Sequence, residues 1–357
     1  MVILRTALQS VPEYQPGRQG SAEEAESQGW AQLSSNEMPF GLLPEVRDAI
    51  AEALSGVNRY PAMAAGSLRA ALAIRHGVMV EEITVGCGAV EVGRQAALAT
   101  VAPGSEVLFG WPSFPEYRIV TLILGGRPVP VPLVDHTYDL DAMAERVTPN
   151  TSLIFICNPN NPTGTIVPLE RIRSFVEDLP RKVLVVVDEA YWEFAESSTG
   201  ASAVSLIGDF PNLVVLRTFS KAFGLAGLRV GYGVGSRETV SAMRKVQLPF
   251  SVNELAERAA LAALAHMAGV QQRVGQICEA RASLVSQLRG IGFELPDSYG
   301  NFVWVPESPG VDLVTKCEEV GVIGRRWSEE GGRFTVGTEA ENERLVSVAR
   351  SMRLGSG

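Results

Sequence analysis

Short apolar runs alternate with amphipathic stretches over the central part of the chain. From residue 83 onward, β-branched runs recur, and segments with apolar residues at helical spacing lie between them. The runs are ITV (83–85), EVLFG (106–110), PVPV (128–131), SLIFIC (152–157), KVLVVVD (182–188), NLVVLRT (212–218) and RVGYGV (229–234). The central runs are apolar on both faces, as in strands that lie between two layers of helices. The alternation therefore predicts an α/β fold, with a mostly parallel mixed sheet and helices on both of its faces.

The pattern changes on either side of this region. Residues 1–30 are rich in Gly, Gln, Glu and Ser, and they predict an irregular N-terminal arm. Residues 253–290 carry Ala and Leu at helical spacing and predict one long helix, after which shorter elements follow. We therefore predict a large domain at 60–250 and a smaller α+β domain at 251–357, which residues 31–59 join.

Composition and charge narrow the function classes. The length of 357 residues and the apolar fraction of 46% suit a globular chain that buries a large core. The net charge of −9, without a basic block, argues against a nucleic-acid partner. The longest strand-like apolar run, 183–187, is far shorter than the about 20 residues of a membrane span. The four cysteines form no C-x-x-C pair and no metal cluster is evident, which predicts a cytoplasmic protein without a bound metal.

The stretch TFSKAFGLAGLRVGY (218–232) carries the strongest chemical signal. It places Lys221 in a loop of small residues directly after an apolar run. Burial at such a position lowers the pKa of an amine, and a neutral amine is the nucleophile that forms an imine. Thr218, Ser220 and Arg229 supply hydroxyl and guanidinium groups of the kind that bind a phosphate. A loop lysine is ordinarily a surface residue, but this surrounding motif favours a catalytic one.

Three further motifs follow or precede predicted elements. In VDEAY (187–191), Asp188 ends the most apolar strand, where an acid can pair with a cationic ring nitrogen or simply cap a helix. The segment CNPNNPTG (157–164) predicts a turn after another strand. The segment VGCGAVE (85–91) opens a helix with glycines that let backbone N–H groups approach a phosphate. Each of these three signals is weak by itself.

Taken together, in this order and spacing, the four motifs resemble those of the fold-type-I pyridoxal-phosphate (PLP) aminotransferases. The resemblance is closest to the histidinol-phosphate aminotransferase family, and it extends over nearly the whole chain through LSSNE (33–37), NRYP (58–61), NFVW (301–304) and RFTVG (333–337). The segments VGCGAV, FGWPSF, VPLVDHTYDL and VLRTFSKAF are most similar to the actinobacterial aromatic (phenylalanine) aminotransferase branch. The resemblance implies the fold of a fold-type-I PLP-dependent transferase, with PLP bound in the domain at 60–250.

The resemblance also implies a role for each matching residue. Lys221 holds PLP as an imine and carries a proton during catalysis, Asp188 keeps the pyridine nitrogen protonated, and Tyr191 is the third catalytic residue. The implied cofactor-binding residues are Gly88, Ala89, Val90, Phe114, Asn161, Asp188, Tyr191, Thr218, Ser220, Lys221, Arg229 and, from the neighbouring subunit of a homodimer, Tyr60. The implied substrate-binding residues are Arg333, which clamps the α-carboxylate, and Arg325, Asn36 and Trp327.

The implied reaction is ping-pong transamination between an aromatic L-amino acid (phenylalanine, tyrosine or tryptophan) and a 2-oxo acid such as 2-oxoglutarate. The chain departs from the family pattern at Ala62, where an Asp is usual, and at Arg325-Arg326-Trp327, where Arg-Pro-Tyr is common. The second departure leaves the accepted side chain open. Trp327 is expected to line an apolar site or to belong to the core.

Three alternatives remain open at this point. The first is the histidinol-phosphate aminotransferase of histidine biosynthesis, in which Arg325 and Arg326 would bind the substrate phosphate. The second is a PLP-dependent decarboxylase or oxidase on the same fold, although the retained Arg333 favours transamination. The third is a cofactor-binding sensor domain of a regulator, for which the acidic residues 1–30 are too short a DNA-binding segment.

Overall fold

The structure, a computed structural model, describes residues 2, 5–15, 17, 29–199 and 201–354. Its strands are β1 (Ala31–Gln32), β2 (Ile83–Gly86), β3 (Glu106–Trp111), β4 (Arg127–Pro132), β5 (Thr151–Cys157), β6 (Leu184–Asp188), β7 (Leu213–Thr218), β8 (Gly231–Gly235), β9 (Phe302–Pro306), β10 (Val322–Ile323), β11 (Arg325–Trp327) and β12 (Gly331–Thr335). Seven of them form one sheet in the order β2-β8-β7-β6-β5-β3-β4. In this sheet β8 runs antiparallel to both neighbours and the other pairs are parallel, which confirms a mostly parallel mixed sheet.

Helices connect these strands and cover the sheet. The α-helices are α1 (Pro44–Ala53), α2 (Gly66–His76), α3 (Gly88–Thr100), α4 (Glu116–Ile123), α5 (Leu140–Glu145), α6 (Leu169–Asp178), α7 (Glu196–Thr199), α8 (Arg237–Lys245), α9 (Glu254–Ala265), α10 (Met267–Gly290), α11 (Glu307–Glu319) and α12 (Glu339–Leu354). Every residue of β6 and β7 is buried, so these strands are covered on both faces, as their uninterrupted apolar sequences predict. The α/β fold class is therefore confirmed.

A second, antiparallel sheet lies in the C-terminal part of the chain. It has the order β11-β12-β9, and α11 packs against it. The short β1 pairs in parallel with β10, and α1 packs against α9, so the segment before residue 60 contacts the C-terminal part. The division into domains at 31–59, 60–250 and 251–357 stays a prediction.

Three local expectations need correction. The segment 253–290 forms two helices rather than one, because His266 has φ −117° and ψ 43°, outside the helical region, and its ring Nδ1 contacts the carbonyl oxygen of Ala262 at the end of α9. The strand expected from residue 229 begins at Gly231, because Arg229 has a left-handed φ of 59°. The arm contains a 3₁₀ helix, Thr6–Ser10, and much of the rest of the arm lies outside the described residues.

Candidate active site

The carboxyl ends of three parallel strands meet at one edge of the large sheet. Cys157 at the end of β5 pairs with Asp188 at the end of β6, and β7 ends beside them at Thr218. A cavity of about 450 Å³ opens at this edge, where open α/β sheets bind their ligands. Most of the predicted site residues line it, namely Ala89, Val90, Phe114, Asn161, Asp188, Tyr191, Thr218, Ser220, Lys221, Arg229, Arg325 and Arg333.

Lys221 lies in the loop that follows β7, and its amine reaches into the cavity. Its Nζ donates a hydrogen bond of 2.8 Å to the backbone oxygen of Ser35, and it lies 5.9 Å from the ring centre of Tyr191. Burial, followed by the positive charge of Arg333, lowers the pKa of Lys221 to about 7. Much of the amine is therefore neutral near pH 7, which makes it a nucleophile.

Asp188 presents a buried carboxylate to the cavity. Its Oδ1 accepts a hydrogen bond of 3.1 Å from the backbone N–H of Ala190, and its Oδ2 accepts one of 2.7 Å from the hydroxyl of Tyr117. Burial raises the pKa of Asp188, and the two hydrogen bonds act in the opposite direction. Among the described residues no Lys or Arg forms an ion pair with this carboxylate. It is thus suited to hold a cationic group of a ligand.

One corner of the cavity is built for an anion. Gly88 opens α3 with a φ of 78°, and a Cβ at this position would lie 2.6 Å from Nη2 of Arg229. Arg229 donates through Nη1 to Oγ of Ser220 at 3.3 Å, and the backbone N–H of Ser220 donates to Oγ1 of Thr218 at 3.1 Å. The first N–H groups of an α-helix have no carbonyl partner within the helix, and at the start of α3 they lie beside the guanidinium, an arrangement that binds phosphate.

Two further arginines, Arg325 and Arg333, line the cavity. Arg325 on β11 and Arg333 on β12 are directly paired across the antiparallel ladder. Arg333 is fully buried; its Nη1 donates to Oδ1 of Asn161, its Nη2 donates to the backbone oxygen of Ser34, and its Nε has no partner within the part of the chain that the structure describes. Burial, with a further contribution from Arg325, lowers the pKa of Arg333 to about 9. A bound carboxylate would offset the repulsion between the two cations.

Comparison with known proteins decides the family. The sequence model of the family described as aminotransferase class I and II matches residues 28–348. The chain belongs to the class I and II aminotransferases. It is 43% identical to the aromatic amino acid aminotransferase of Thermobifida fusca, over 98% of this chain and 96% of that protein. It is also 43% identical to the protein of the same name from Mycobacteroides abscessus, over 98% of this chain and 99% of that one.

The fold agrees with this assignment. The crystal structure of histidinol-phosphate aminotransferase from Sinorhizobium meliloti, in complex with pyridoxal 5'-phosphate, superposes with a TM-score of 0.88 at 28% identity. The match covers 99% of this chain and 98% of that one. The predicted family, fold type and enzyme class are therefore confirmed: the protein is an aminotransferase.

The cofactor of these aminotransferases is PLP, as predicted, and the cavity fits it. The anion corner at the start of α3 suits a phosphate, and the buried carboxylate of Asp188 suits a protonated ring nitrogen. The neutral amine of Lys221 suits an aldehyde, and the half-buried ring of Phe114 in the cavity wall suits a flat aromatic group.

Four predicted site residues, Gly88, Asn36, Tyr60 and Trp327, lie outside the cavity wall of this aminotransferase chain. Gly88 lies behind the guanidinium of Arg229, where the absence of a side chain lets the guanidinium approach the helix. Asn36 is buried and donates through Nδ2 to the hydroxyl of Tyr191 at 2.9 Å, so in this chain it contacts a site residue rather than the cavity. Tyr60 is 84% exposed and stacks on Phe250 at 4.7 Å.

The expectation that Trp327 lines an apolar site needs correction. Trp327 is buried, and its ring packs edge-on against Trp304 at 6.3 Å. The guanidinium carbons of Arg325 and Arg333 lie 4.5 and 5.0 Å from the centre of its ring. Arg325 and Trp327 alternate with Arg326 on the strand and therefore share a face. The indole supports the two arginines by cation–π contact instead of forming the cavity wall.

Several lining residues were not predicted from the sequence: Tyr14, Gly17, Ser35, Glu37 and Tyr117. Tyr117 had a usable signal, because it follows Phe114 by three residues at the start of a helix and so faces the same side. Tyr14 and Gly17 belong to the N-terminal arm. Its composition indicates irregular structure but does not show which part of the protein the arm contacts.

The ranges that the structure describes contain no group of three or more His, Cys, Asp or Glu side chains arranged to hold a metal ion. None of the helices described above combines the length and apolar character that a membrane crossing requires.

Proposed function

We propose that the enzyme transaminates aromatic L-amino acids, with phenylalanine as the leading substrate, using a 2-oxo acid such as 2-oxoglutarate as the amino acceptor. The observation that carries this proposal is the aromatic wall of the cavity. Phe114 meets Tyr14 edge-on at 6.5 Å and Tyr117 edge-on at 5.6 Å, and all three rings line the cavity that Arg325 and Arg333 also line. The relatives named aromatic amino acid aminotransferase support it.

The chemistry divides between the cofactor and this chain. Bound PLP supplies an electron sink for the charge that develops at Cα of the amino acid. Nζ of Lys221 would take the proton from Cα of the amino acid and deliver it to C4′ of the cofactor, and it would carry a proton the other way in the half-reaction with the 2-oxo acid; its low pKa favours this task. The carboxylate of Asp188 would hold a positive charge at the ring nitrogen. The carboxamide of Asn161 and the hydroxyl of Tyr191 would form hydrogen bonds with the ring hydroxyl.

The remaining groups bind and orient. The phosphate would be held by the backbone N–H groups of Ala89 and Val90 at the start of α3 and by the side chains of Thr218, Ser220 and Arg229. Phe114 covers the ring. Arg333, whose Nε has no partner among the described residues, would bind the α-carboxylate, and Arg325, its neighbour across the ladder, would contact the substrate side chain. The ring of Trp327 contacts the guanidinium groups of Arg325 and Arg333 and keeps them in place.

The position of Arg326 argues against the phosphate site that was predicted from Arg325 and Arg326 for histidinol phosphate. A substrate phosphate at the far end of the side chain requires two or more cationic or N–H donors. Arg326 points away from Arg325 on the strand, is exposed, and pairs with Glu329 at 2.7 Å. Arg325 already donates to the hydroxyl of Tyr14 at 3.3 Å and to the backbone oxygen of Gln15 at 3.1 Å. An aromatic side chain instead gains about 1.5–3 kcal/mol from burial.

Comparing two amino donors on the wild-type enzyme tests the substrate. We expect kcat/KM for phenylalanine to exceed that for histidinol phosphate by at least about tenfold, which corresponds to roughly 1.4 kcal/mol in transition-state binding. The measurement is a steady-state assay of both donors with 2-oxoglutarate. A preference of similar size for histidinol phosphate would make the enzyme a histidinol-phosphate aminotransferase instead.

We further propose that the enzyme works as a homodimer in which Tyr60 reaches the phosphate site of the partner subunit. Support comes from a surface that we call the exposed apolar patch, made of Leu54, Val57, Tyr60, Met63, Leu248 and Phe250. The stacking of Tyr60 on Phe250 joins its two sequence segments. An apolar patch of this kind on a soluble enzyme indicates a protein interface. A two-fold symmetric contact gives two equivalent sites from two chains.

A mixture of two inactive variants tests this arrangement. Neither Tyr60→Ala nor Lys221→Ala should be active alone at limiting cofactor. When they are unfolded and refolded together, half of the dimers are mixed, and each mixed dimer has one complete site. We expect about a quarter of the wild-type activity to return. Sedimentation of each variant as a dimer is the control, and no recovery from mixed dimers would place Tyr60 in its own subunit.

We also propose that the enzyme resides in the cytoplasm. All four cysteines are free, and Cys157 and Cys317 are buried. Burial raises the pKa of both thiols, so they are unreactive and behave as small apolar side chains. Unpaired cysteines are typical of a reducing compartment.

A further inference from the structure

Tyr117 forms a contact that the proposed catalytic scheme leaves unused. Its hydroxyl donates the 2.7 Å hydrogen bond to Oδ2 of Asp188, while the backbone N–H of Ala190 donates to Oδ1. The carboxylate is therefore held at both oxygens, one by a backbone group and one by a side chain. Tyr117 lies on α4, a different element from the strand that carries Asp188.

The ring of Tyr117 is fixed by contacts with two other aromatic rings. It stacks on Phe155 with ring centres 4.4 Å apart and planes 9° apart, and it meets Phe114 edge-on. Tyr117 is 3% exposed, and its side chain lines the cavity beside Asp188. Because the ring is confined on two sides, the hydroxyl has a fixed direction, and the carboxylate has a fixed orientation with it.

We propose that Tyr117 is a positioning residue that keeps Asp188 ionised and aimed at the ring nitrogen of the cofactor. This inference rests on the role proposed above for Asp188. Tyr117 itself touches no reacting atom in this scheme and acts through the carboxylate. Phe at this position would keep the stacking and lose the donor.

The groups around Asp188 determine in which direction its pKa should move when the Tyr117 hydroxyl is lost. Burial raises the pKa of Asp188, and the Tyr117 hydrogen bond lowers it because a donor favours the charged carboxylate. The pKa of Tyr117 lies well above its ordinary value, mainly through burial, so its hydroxyl stays a neutral donor. The other titratable groups that influence Asp188 or feel its charge are Glu189 beside it, Cys157 on β5, Tyr138 and Tyr191.

The test compares Tyr117→Phe with Tyr232→Phe. Tyr232 is a matched control, because it is an equally buried tyrosine whose hydroxyl contacts Nε2 of His76 at 2.9 Å instead of Asp188. We expect Tyr117→Phe to lower kcat about tenfold with little change in KM for phenylalanine. Losing the donor raises the pKa of Asp188, so the acid limb of the kcat profile should move up by about one pH unit. Tyr232→Phe should leave kcat and the acid limb unchanged.

Two further measurements do not depend on turnover. The affinity of the cofactor-free protein for PLP should fall more in Tyr117→Phe than in the control, since a misaligned carboxylate binds the ring nitrogen less well. Replacing Tyr117 with 3-fluorotyrosine keeps the fold and strengthens the donor, so the acid limb should move to lower pH. This second variant decides the question even if Tyr117→Phe folds poorly.

A double variant separates the role of Tyr117 from that of Asp188. In an Asp188→Asn background, Tyr117→Phe should change kcat by less than about twofold, because the group through which it acts is gone. A full tenfold further loss, or equal behaviour of Tyr117→Phe and Tyr232→Phe, would overturn the inference while leaving the proposed function intact. Wild-type rates in Asp188→Asn alone would instead remove the role of Asp188.

Discussion

Lys221→Ala is expected to lose transamination by several orders of magnitude. The substitution removes the amine that binds the cofactor covalently and the group that moves the proton at Cα, so two functions disappear together. The loss should not come from unfolding, because among the described residues the Nζ makes a single hydrogen bond, to the backbone oxygen of Ser35, and the amine costs free energy where it is buried. The cofactor-free variant should therefore unfold at a temperature close to that of the wild type.

Borohydride reduction of the loaded wild-type enzyme checks the same assignment directly. The chain contains four lysines, and Lys182, Lys245 and Lys316 are exposed. Peptide mapping after reduction should find the cofactor on Lys221. Lys182→Ala is a suitable control for turnover, since its amine contacts the backbone oxygen of Pro149 on the surface. Label on another lysine, or none at all, would end the assignment.

The pKa of Lys221 adds a pH dependence to this result. In the cofactor-free protein the amine is protonated below about pH 7 and neutral above it. Because only the neutral amine attacks an aldehyde, the rate of covalent PLP uptake should rise with pH through about 7 and level off above it. Uptake is followed by the visible absorbance of the bound cofactor over a pH series.

The parts of the site that follow buried strands could be predicted from the sequence. Asp188 and Lys221 each follow or end an apolar run, and parallel strands bring their carboxyl ends to one edge. Arg229 and Gly88 were predicted as members of a phosphate site, although the strand was expected to include Arg229. The left-handed φ of 59° at Arg229 explains how its guanidinium reaches the start of α3. A positive φ is uncommon for an arginine, so the sequence does not reveal it.

Other features depend on contacts between distant parts of the chain. The hydrogen bond from Lys221 to Ser35 ends on a backbone oxygen, which any residue supplies. Tyr14 reaches Arg325 across most of the sequence, and composition does not reveal such a contact. From its place in the family motif, Trp327 was expected either to line the cavity or to belong to the core, and its buried ring stacks with guanidinium groups. Periodicity assigns it to a face of a strand but does not show that arginines cover that face.

Asp188→Asn is expected to bind PLP and yet to be nearly inactive, with kcat reduced by at least about a thousandfold. Asn keeps the shape, and its side-chain oxygen still accepts from the hydroxyl of Tyr117. Its amide carries no charge, so it cannot hold a proton on the ring nitrogen, and the electron sink weakens. Burial raises the pKa of Asp188, which means that the charged carboxylate costs free energy in the empty site at neutral pH.

The stability of the cofactor-free Asp188→Asn protein distinguishes a defect in catalysis from a defect in folding. Removing a buried charge should leave the cofactor-free Asp188→Asn protein at least as stable as the wild type at pH 7, whereas a structural role would lower its Tm. The measurements are Tm without cofactor, the PLP dissociation constant, and kcat at saturating cofactor. Asp141→Asn is the matched control, because that carboxylate is exposed and pairs with Arg171 at 2.8 Å on the surface. Unchanged stability together with wild-type kcat in Asp188→Asn would show that the ring nitrogen needs no carboxylate here, and the mechanism would then rest on Lys221 alone.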